Sequence, residues 1–299
     1  MLLSAEKGVG QDAMYRARAM ILALVAGLIV GCGREPEGRE ARIAVSTSYL
    51  AAVVRDVLDA DVPVVGLSGP GTCPGHFDIT PSHLARIRRC RVLLRFDFQR
   101  HVDAKLQAAV DEGLRIVDVP EPGNLCEPST YRAVCQATAA ALARAGLLEE
   151  AAAGERLAEI DARLAGLAQD ARRRAREAGL EGWPVVAAHH QASFCRWLGL
   201  DVVAEFTGSD NPAALNAVVA DGREGRVGLV VGNAPQGRVV PDRLAEILGT
   251  PVVLFENFPP AGAGREAFDG LVRGNVERLC AAGAEARRAA ERLPAKETP

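Results

Sequence analysis

Four short stretches hold side chains with lone pairs that could bind a metal ion: Cys73, His76 and Asp78; Asn124, Cys126 and Glu127; the adjacent His189 and His190; and Glu256. The chain has only five histidines in 299 residues, and three of them fall in these stretches. Imidazole, thiolate and carboxylate together supply the donors a divalent transition metal needs and offset its charge. Calcium or magnesium would require more oxygen ligands. A single loop histidine is ordinarily a hydrogen-bonded surface residue, so joint placement has to carry the inference.

That placement depends on the elements around the stretches. From Arg42 the chain alternates apolar, β-branched runs with helical segments: "RIAVS", "VPVVGL", "VLLRF" and "RIVDV", with helices to about Asp59, to Cys90 and over 101–112. A second set, "WPVVAA", "DVVAEF", "VGLVVG" and "PVVLFE", begins at Trp183 and closes with a helix from about Glu266 to Ala282. Such runs predict parallel strands covered on both faces, hence an α/β fold of two parallel-sheet lobes. Each candidate stretch directly follows a strand. In parallel α/β sheets ligands bind outside the carboxyl ends of the strands, so the pattern predicts a binding cleft between the lobes.

Pro128 to Ala178 contains no strand. Leu157, Ile160, Leu164, Leu167 and Ala171 recur every three or four residues, one apolar stripe on a long helix expected over Leu147–Ala178 and stopped by Gly179. The stripe covers about two heptads, short of the three or four an independent coiled coil requires. A long, rigid backbone helix joining two lobes is the consistent reading. The expected organisation is a leader at 1–31, a tether at 32–40, lobes at 41–127 and 181–284 joined by the helical region 128–180, and a polar tail at 285–299.

The leader has Arg16 and Arg18 before an apolar run from Met20 to Val30, too short for the ~20 residues that span a bilayer. It reads as a signal peptide. Leu28-Ile29-Val30-Gly31-Cys32 resembles the bacterial lipobox, which implies lipid modification of Cys32 and a lipid-anchored protein of the cell envelope, periplasmic or extracytoplasmic. Six further cysteines follow, an even number in an oxidising compartment where disulfides form. Cys90, Cys135 and Cys280 read as buried structural thiols. A net charge of −3 offers no basic face for nucleic acid.

The residues match a known family. The chain resembles the metal-binding receptors of bacterial ABC importers for zinc and manganese, of the helical-backbone type. "GHFDITPSHLARI" is similar to the loop holding a first histidine ligand, at His76; "VVAAHHQASFCRWLGLDVV" to the segment in which a ligand histidine opens a helix; "SDNPAALN" to the capped helix that follows; and "TPVVLFENFP" to the strand ending in an acidic ligand, at Glu256. In the second segment the family pattern favours His190, two residues before Ala192, over His189. The family's His-x-Trp-x-Asp-Pro motif is replaced by "GNLCEPSTY", without histidine. The fourth ligand position therefore stays open among Cys126, Cys73, Asn124 and His189; Cys73 and Cys126 could equally pair as a disulfide. His83 and His101, on helices, read as solvent-facing or as supporting the site from behind, and Arg95 as contacting Asp97.

The resemblance implies a monomeric receptor, not an enzyme, that captures a divalent metal, Zn2+ ahead of Mn2+ or copper, and delivers it to an ABC transporter permease. Two rival readings use the same residues: a receptor for a metal chelate such as haem or a siderophore, disfavoured by only eight Phe, three Tyr and two Trp, and an envelope enzyme with Cys73 or Cys126 as nucleophile and His190 as base. An adhesin or metal chaperone on the same fold also fits.

Overall fold

In the computed structural model the described residues are 42–60, 62–68, 78–208 and 211–292. The leader with Cys32, and the stretch with Cys73 and His76, lie outside them. Two four-stranded parallel sheets form two lobes. The first comprises β1 (Ile43–Val45), β2 (Val64–Gly66), β3 (Val92–Phe96) and β4 (Arg115–Val119), the second β5 (Pro184–Ala188), β6 (Asp201–Phe206), β7 (Leu229–Asn233) and β8 (Val252–Phe255). Their orders are β2-β1-β3-β4 and β6-β5-β7-β8, so both lobes have the same topology. In each, the chain runs outward one way and then crosses to the other side of its first strand, which opens a crevice at the carboxyl ends of the central strands. Every residue of β3 and β7 is buried, as expected of central strands covered on both faces.

The helices are α1 (Ser48–Val57), α2 (Pro81–Ile87), α3 (Gln107–Asp111), α4 (Pro128–Arg144), α5 (Glu150–Glu177), α6 (His189–Trp197), α7 (Pro212–Glu224), α8 (Val239–Leu248) and α9 (Ala267–Arg292). Asn211 caps α7 as its sequence predicts, its side chain accepting from the Ala214 amide at 2.9 Å. The segment expected as a helix over 101–112 is instead a 3-10 helix over Asp97–Leu106 followed by the short α3. The Gln99 side chain turns inward there, accepting from the Phe96 amide at 3.0 Å and from the Ser46 hydroxyl at 2.5 Å.

The long helix starts at Glu150, not Leu147, and its 28 residues extend roughly 42 Å at ~1.5 Å per residue. It buries Ile160, Leu164, Leu167 and Ala171 of the predicted stripe, leaves Leu157 partly buried, and adds Ala153 and Ala175. Gly179 ends it with φ +67°, a conformation that favours glycine. The last helix continues well past Ala282, into the expected polar tail. Gly283 does not stop it: a Cβ there would meet Leu180 at 2.5 Å, so this glycine serves a close helix approach. Among the described residues no helix is long and apolar enough to cross a membrane.

One continuous apolar core runs through both lobes and the long helix, while the outer face of each sheet has its own smaller core. Aromatic rings mark the seam. Tyr131 of α4 stacks on Phe268 of α9 at 4.1 Å, and Tyr49 of α1 meets both rings edge-on. Beneath them Arg163 of α5 forms ion pairs with the buried Asp56 of α1 and, at 3.0 Å, with the buried Asp269 of α9. The Tyr131 hydroxyl donates to Asp56 at 2.9 Å. Arg95, expected to contact Asp97, is itself buried and pairs with Asp103 and Asp118; Asp97 accepts from the Phe98 amide at 2.8 Å instead. Cys280 is only partly buried, unlike Cys90 and Cys135, because it faces the groove between α9 and α5, where its thiol points to the Arg174 carbonyl.

Candidate metal centre

The residues that follow β4, β5 and β8 meet where the two lobes touch. β5 ends at Ala188 and the chain turns directly into α6, so His189 and His190 open that helix at the carboxyl edge of the second sheet. His189 faces outward and shares a hydrogen bond with Glu205 of β6 at 2.8 Å; Arg196 of α6 holds the other Glu205 oxygen at 2.7 Å. Burial alone would raise the Glu205 pKa, but these two partners bring it below the ordinary carboxylate value. His190 has no such carboxylate. Burial and the neighbouring His189 lower its pKa, which keeps the imidazole neutral, the form that binds metals.

His190 lines a cavity of about 440 Å³ together with Glu121, Asn124, His189, Glu205 and Asn257. Glu121 follows β4, and crowding by protein together with the Asp97 carboxylate pushes its pKa up to about 7. Glu256 follows β8 and opens on a second cavity of about 790 Å³, bordered by Thr47, Ser48 and Ser68 of the first lobe and Arg278 of α9. Its neighbour Asn257 lines the first cavity. His190 and Glu256 thus sit at the same lobe junction on adjoining cavities, and His76 lies outside the described residues. Among the described residues no three His, Cys, Asp or Glu side chains are gathered closely enough to hold a metal ion.

The β4–α4 loop, where the fourth ligand was expected, is committed to structure. Asn124 uses both ends of its amide: Oδ1 accepts from the Cys126 amide at 2.8 Å and Nδ2 donates to the His190 carbonyl at 2.6 Å. Glu127 accepts from the Ser193 hydroxyl of α6 at 2.5 Å. Cys126 is fully buried and a free thiol in this structure; Cys73, the disulfide partner considered for it, lies outside the described residues. Cys126 donates to the Glu256 carbonyl at 3.1 Å, and burial raises its pKa. A nucleophilic cysteine needs the opposite, a lowered pKa and access.

A group that the sequence did not reveal stands behind Glu256. Asn275 of α9, fully buried, accepts from the Glu256 amide at 3.0 Å and donates to its carbonyl at 2.9 Å. Gln191, also buried, donates to Asn233 at 3.0 Å and to Asn257. The available signal was two polar residues, Asp269 and Asn275, in a helix face otherwise made of Phe268, Leu271, Val272, Val276 and Leu279. His83 serves locally, accepting from the Thr80 amide at the start of α2, and His101 is exposed.

The family model described as ZnuA, zinc-uptake complex component A periplasmic, matches residues 43–282. Comparison with curated protein sequences gives no match. Among solved structures, a zinc-bound ZnuA deletion mutant is 17% identical, with a TM-score of 0.66, covering 82% of this chain and 98% of that one. FpvC of P. aeruginosa, described as a substrate-binding protein in complex with Ni2+, is 15% identical, with a TM-score of 0.67 and coverage of 83% and 98%. A Mn-bound periplasmic metal-binding protein from Candidatus Liberibacter asiaticus is 11% identical, with a TM-score of 0.65 and coverage of 81% and 98%. At these identities the structures share the fold.

Proposed function

Because the chain belongs to the family of periplasmic zinc-uptake components, we propose that it is a receptor that captures a divalent transition metal between its lobes and hands it to an ABC transporter permease. Zinc is the favoured cargo, with manganese, nickel and copper as competitors. The observation that carries this reading is the meeting of three strand-end loops from two lobes, after β4, β5 and β8, with the neutral His190 and the acidic Glu256 placed there. His76 supplies a further nitrogen from the stretch that follows β2. Imidazole nitrogens with a carboxylate suit zinc, which takes four ligands and leaves room for water or a further donor.

Export as a lipoprotein through Cys32 places this receptor on the outer face of a membrane, where a permease can receive its cargo. A purely binding role fits the rest of the site: Cys126 is buried and engaged with a backbone carbonyl, and a thiol held this way has no role as a nucleophile. The 790 Å³ cavity beside Glu256 favours a second reading, in which the metal arrives with a small organic chelator.

Calorimetric titration of chelator-treated protein with zinc, alone and in competition with manganese and nickel, tests the reading. The parent should bind one zinc ion, and His190→Ala and Glu256→Gln should each weaken binding by more than about tenfold. Unchanged affinity in both variants would remove the site.

A further inference from the structure

The β4–α4 loop reaches across the lobe junction twice, and both contacts fall on the backbone of a candidate ligand. Asn124 Nδ2 donates to the carbonyl of His190 at 2.6 Å. Two residues on, Cys126 Sγ donates to the carbonyl of Glu256 at 3.1 Å. The loop is itself fixed, since Asn124 Oδ1 accepts from the Cys126 amide and Glu127 is held by Ser193. From the other side Asn275 clamps the amide and carbonyl of Glu256, and Arg278 holds the Asn275 oxygen at 2.7 Å.

We propose that Asn124 and Cys126 are positioning residues: the loop of the first lobe fixes the backbone of two ligands in the second, His190 and Glu256, and does not itself ligate the metal. The proposal rests on the site reading above. Its chemical basis is the commitment of each donor. Both ends of the Asn124 amide are already engaged, its oxygen by the Cys126 amide and its nitrogen by the His190 carbonyl, and Cys126 Sγ faces the Glu256 carbonyl, the Gln191 and Asn257 side-chain oxygens at 3.8 and 3.7 Å, and Asn275 Nδ2 at 3.6 Å. A thiol surrounded by three oxygens is placed as a donor of its hydrogen. Fixing a ligand's main chain limits the arcs its side chain can sweep, and partners that orient ligands in this way matter to affinity nearly as much as the ligands.

The experiment uses the full chain, freed of metal by chelator and titrated with zinc against a competing chromophoric chelator. Cys126→Ala and Asn124→Ala should each lower affinity by about 10- to 100-fold. Cys126→Ser, which keeps a hydroxyl donor, should stay within about threefold of the parent. In a Glu256→Gln background, Cys126→Ala should add no further loss, because its effect passes through Glu256. Cobalt(II) supplies a spectroscopic control: Cys126→Ser should leave the near-ultraviolet charge-transfer region of the cobalt form unchanged from the parent. If Cys126→Ala does not yield folded protein, judged by thermal melting, Cys126→Ser and Asn124→Ala carry the test.

The proposal is overturned if Cys126→Ala and Asn124→Ala bind zinc as the parent does while His190→Ala and Glu256→Gln do not. It is also overturned if the cobalt form shows a thiolate band that Cys126→Ser abolishes, which would make Cys126 a ligand. Full affinity in His190→Ala and Glu256→Gln would overturn the site reading and this proposal together.

Discussion

The two lobes are joined in two places, and the two junctions are built from different chemistry. At the cleft most contacts join neutral groups: Asn124, Cys126, Gln191, Asn257 and Asn275 exchange hydrogen bonds with backbone carbonyls and with one another. At the back, where the long helix passes, they are charged: Asp56, Arg163 and Asp269 meet in the apolar core, with Arg156 donating to the Asp56 carbonyl at 2.6 Å. The cation in the cleft network, Arg278, donates to the Asn275 oxygen at 2.7 Å and borders the cavity onto which Glu256 opens. A buried ion pair has a different use. Its geometry is costly to disturb, because separating the partners strands a charge in low dielectric. In the proposed receptor the cleft junction sets ligand geometry, while the rear junction ties α1, α5 and α9 together through Arg163.

The largest expected effect comes from breaking the rear junction. Arg163→Met would leave Asp56, fully buried, without its cation and should cost about 3–5 kcal/mol of stability, measured by denaturant unfolding of metal-free protein. Zinc affinity of the fraction that remains folded should change far less than in Cys126→Ala. Equal losses of affinity in the two variants would erase the distinction between the junctions.

Much of the framework behind this contrast was legible in the sequence. Buried parallel strands read as apolar, β-branched runs, so all eight were placed, and the stripe on α5 predicted the face that it buries. The junctions were not legible, for a physical reason. Asp56 and Arg163 are over a hundred residues apart, and a charge on a helix ordinarily reads as a solvated face; only the crossing of α5 under both lobes turns Arg163 inward. Asn124 and Cys126 were visible as donors, but which lone pairs were already in use could not be known before the loop was folded against α6 and β8. The last helix was expected to end at about Ala282, and only the close packing of Gly283 against Leu180 shows why it continues.

A smaller effect separates the junctions by pH. Arg163 makes its closest contact with Asp56, so Asp269 is left with the weaker share of the guanidinium, and burial raises its pKa to about 6. A carboxyl raised in the folded state contributes stability that is fully present below its unfolded value, near 3.9, and lost as pH rises through about 6. The stability of the parent relative to Asp269→Asn should therefore fall between pH 4 and 7, by on the order of 2 kcal/mol. Urea unfolding of both proteins at several pH values reads this difference directly. Cys126, its pKa raised by burial, adds no titration of its own over this range. A pH-independent difference would mean that Asp269 is ionised throughout and the rear junction is fully paired.

The smallest effect tests whether charge or burial makes the rear junction matter. On the outer face of the same helix Arg173 pairs with Asp170 and, at 2.9 Å, with Glu177, its side chain half exposed at 50%. It has the same chemistry as Arg163 and sits ten residues further along one helix, but water solvates the charges that its removal leaves behind. Arg173→Ala should change stability by less than about 0.5 kcal/mol, and added salt should reduce even that. A loss comparable to that of Arg163→Met would show that the helix depends on its charges wherever they lie. A negligible loss would assign the rear junction's strength to the desolvation of Asp56 and Asp269, because these carboxylates cannot turn to water when their cation is removed.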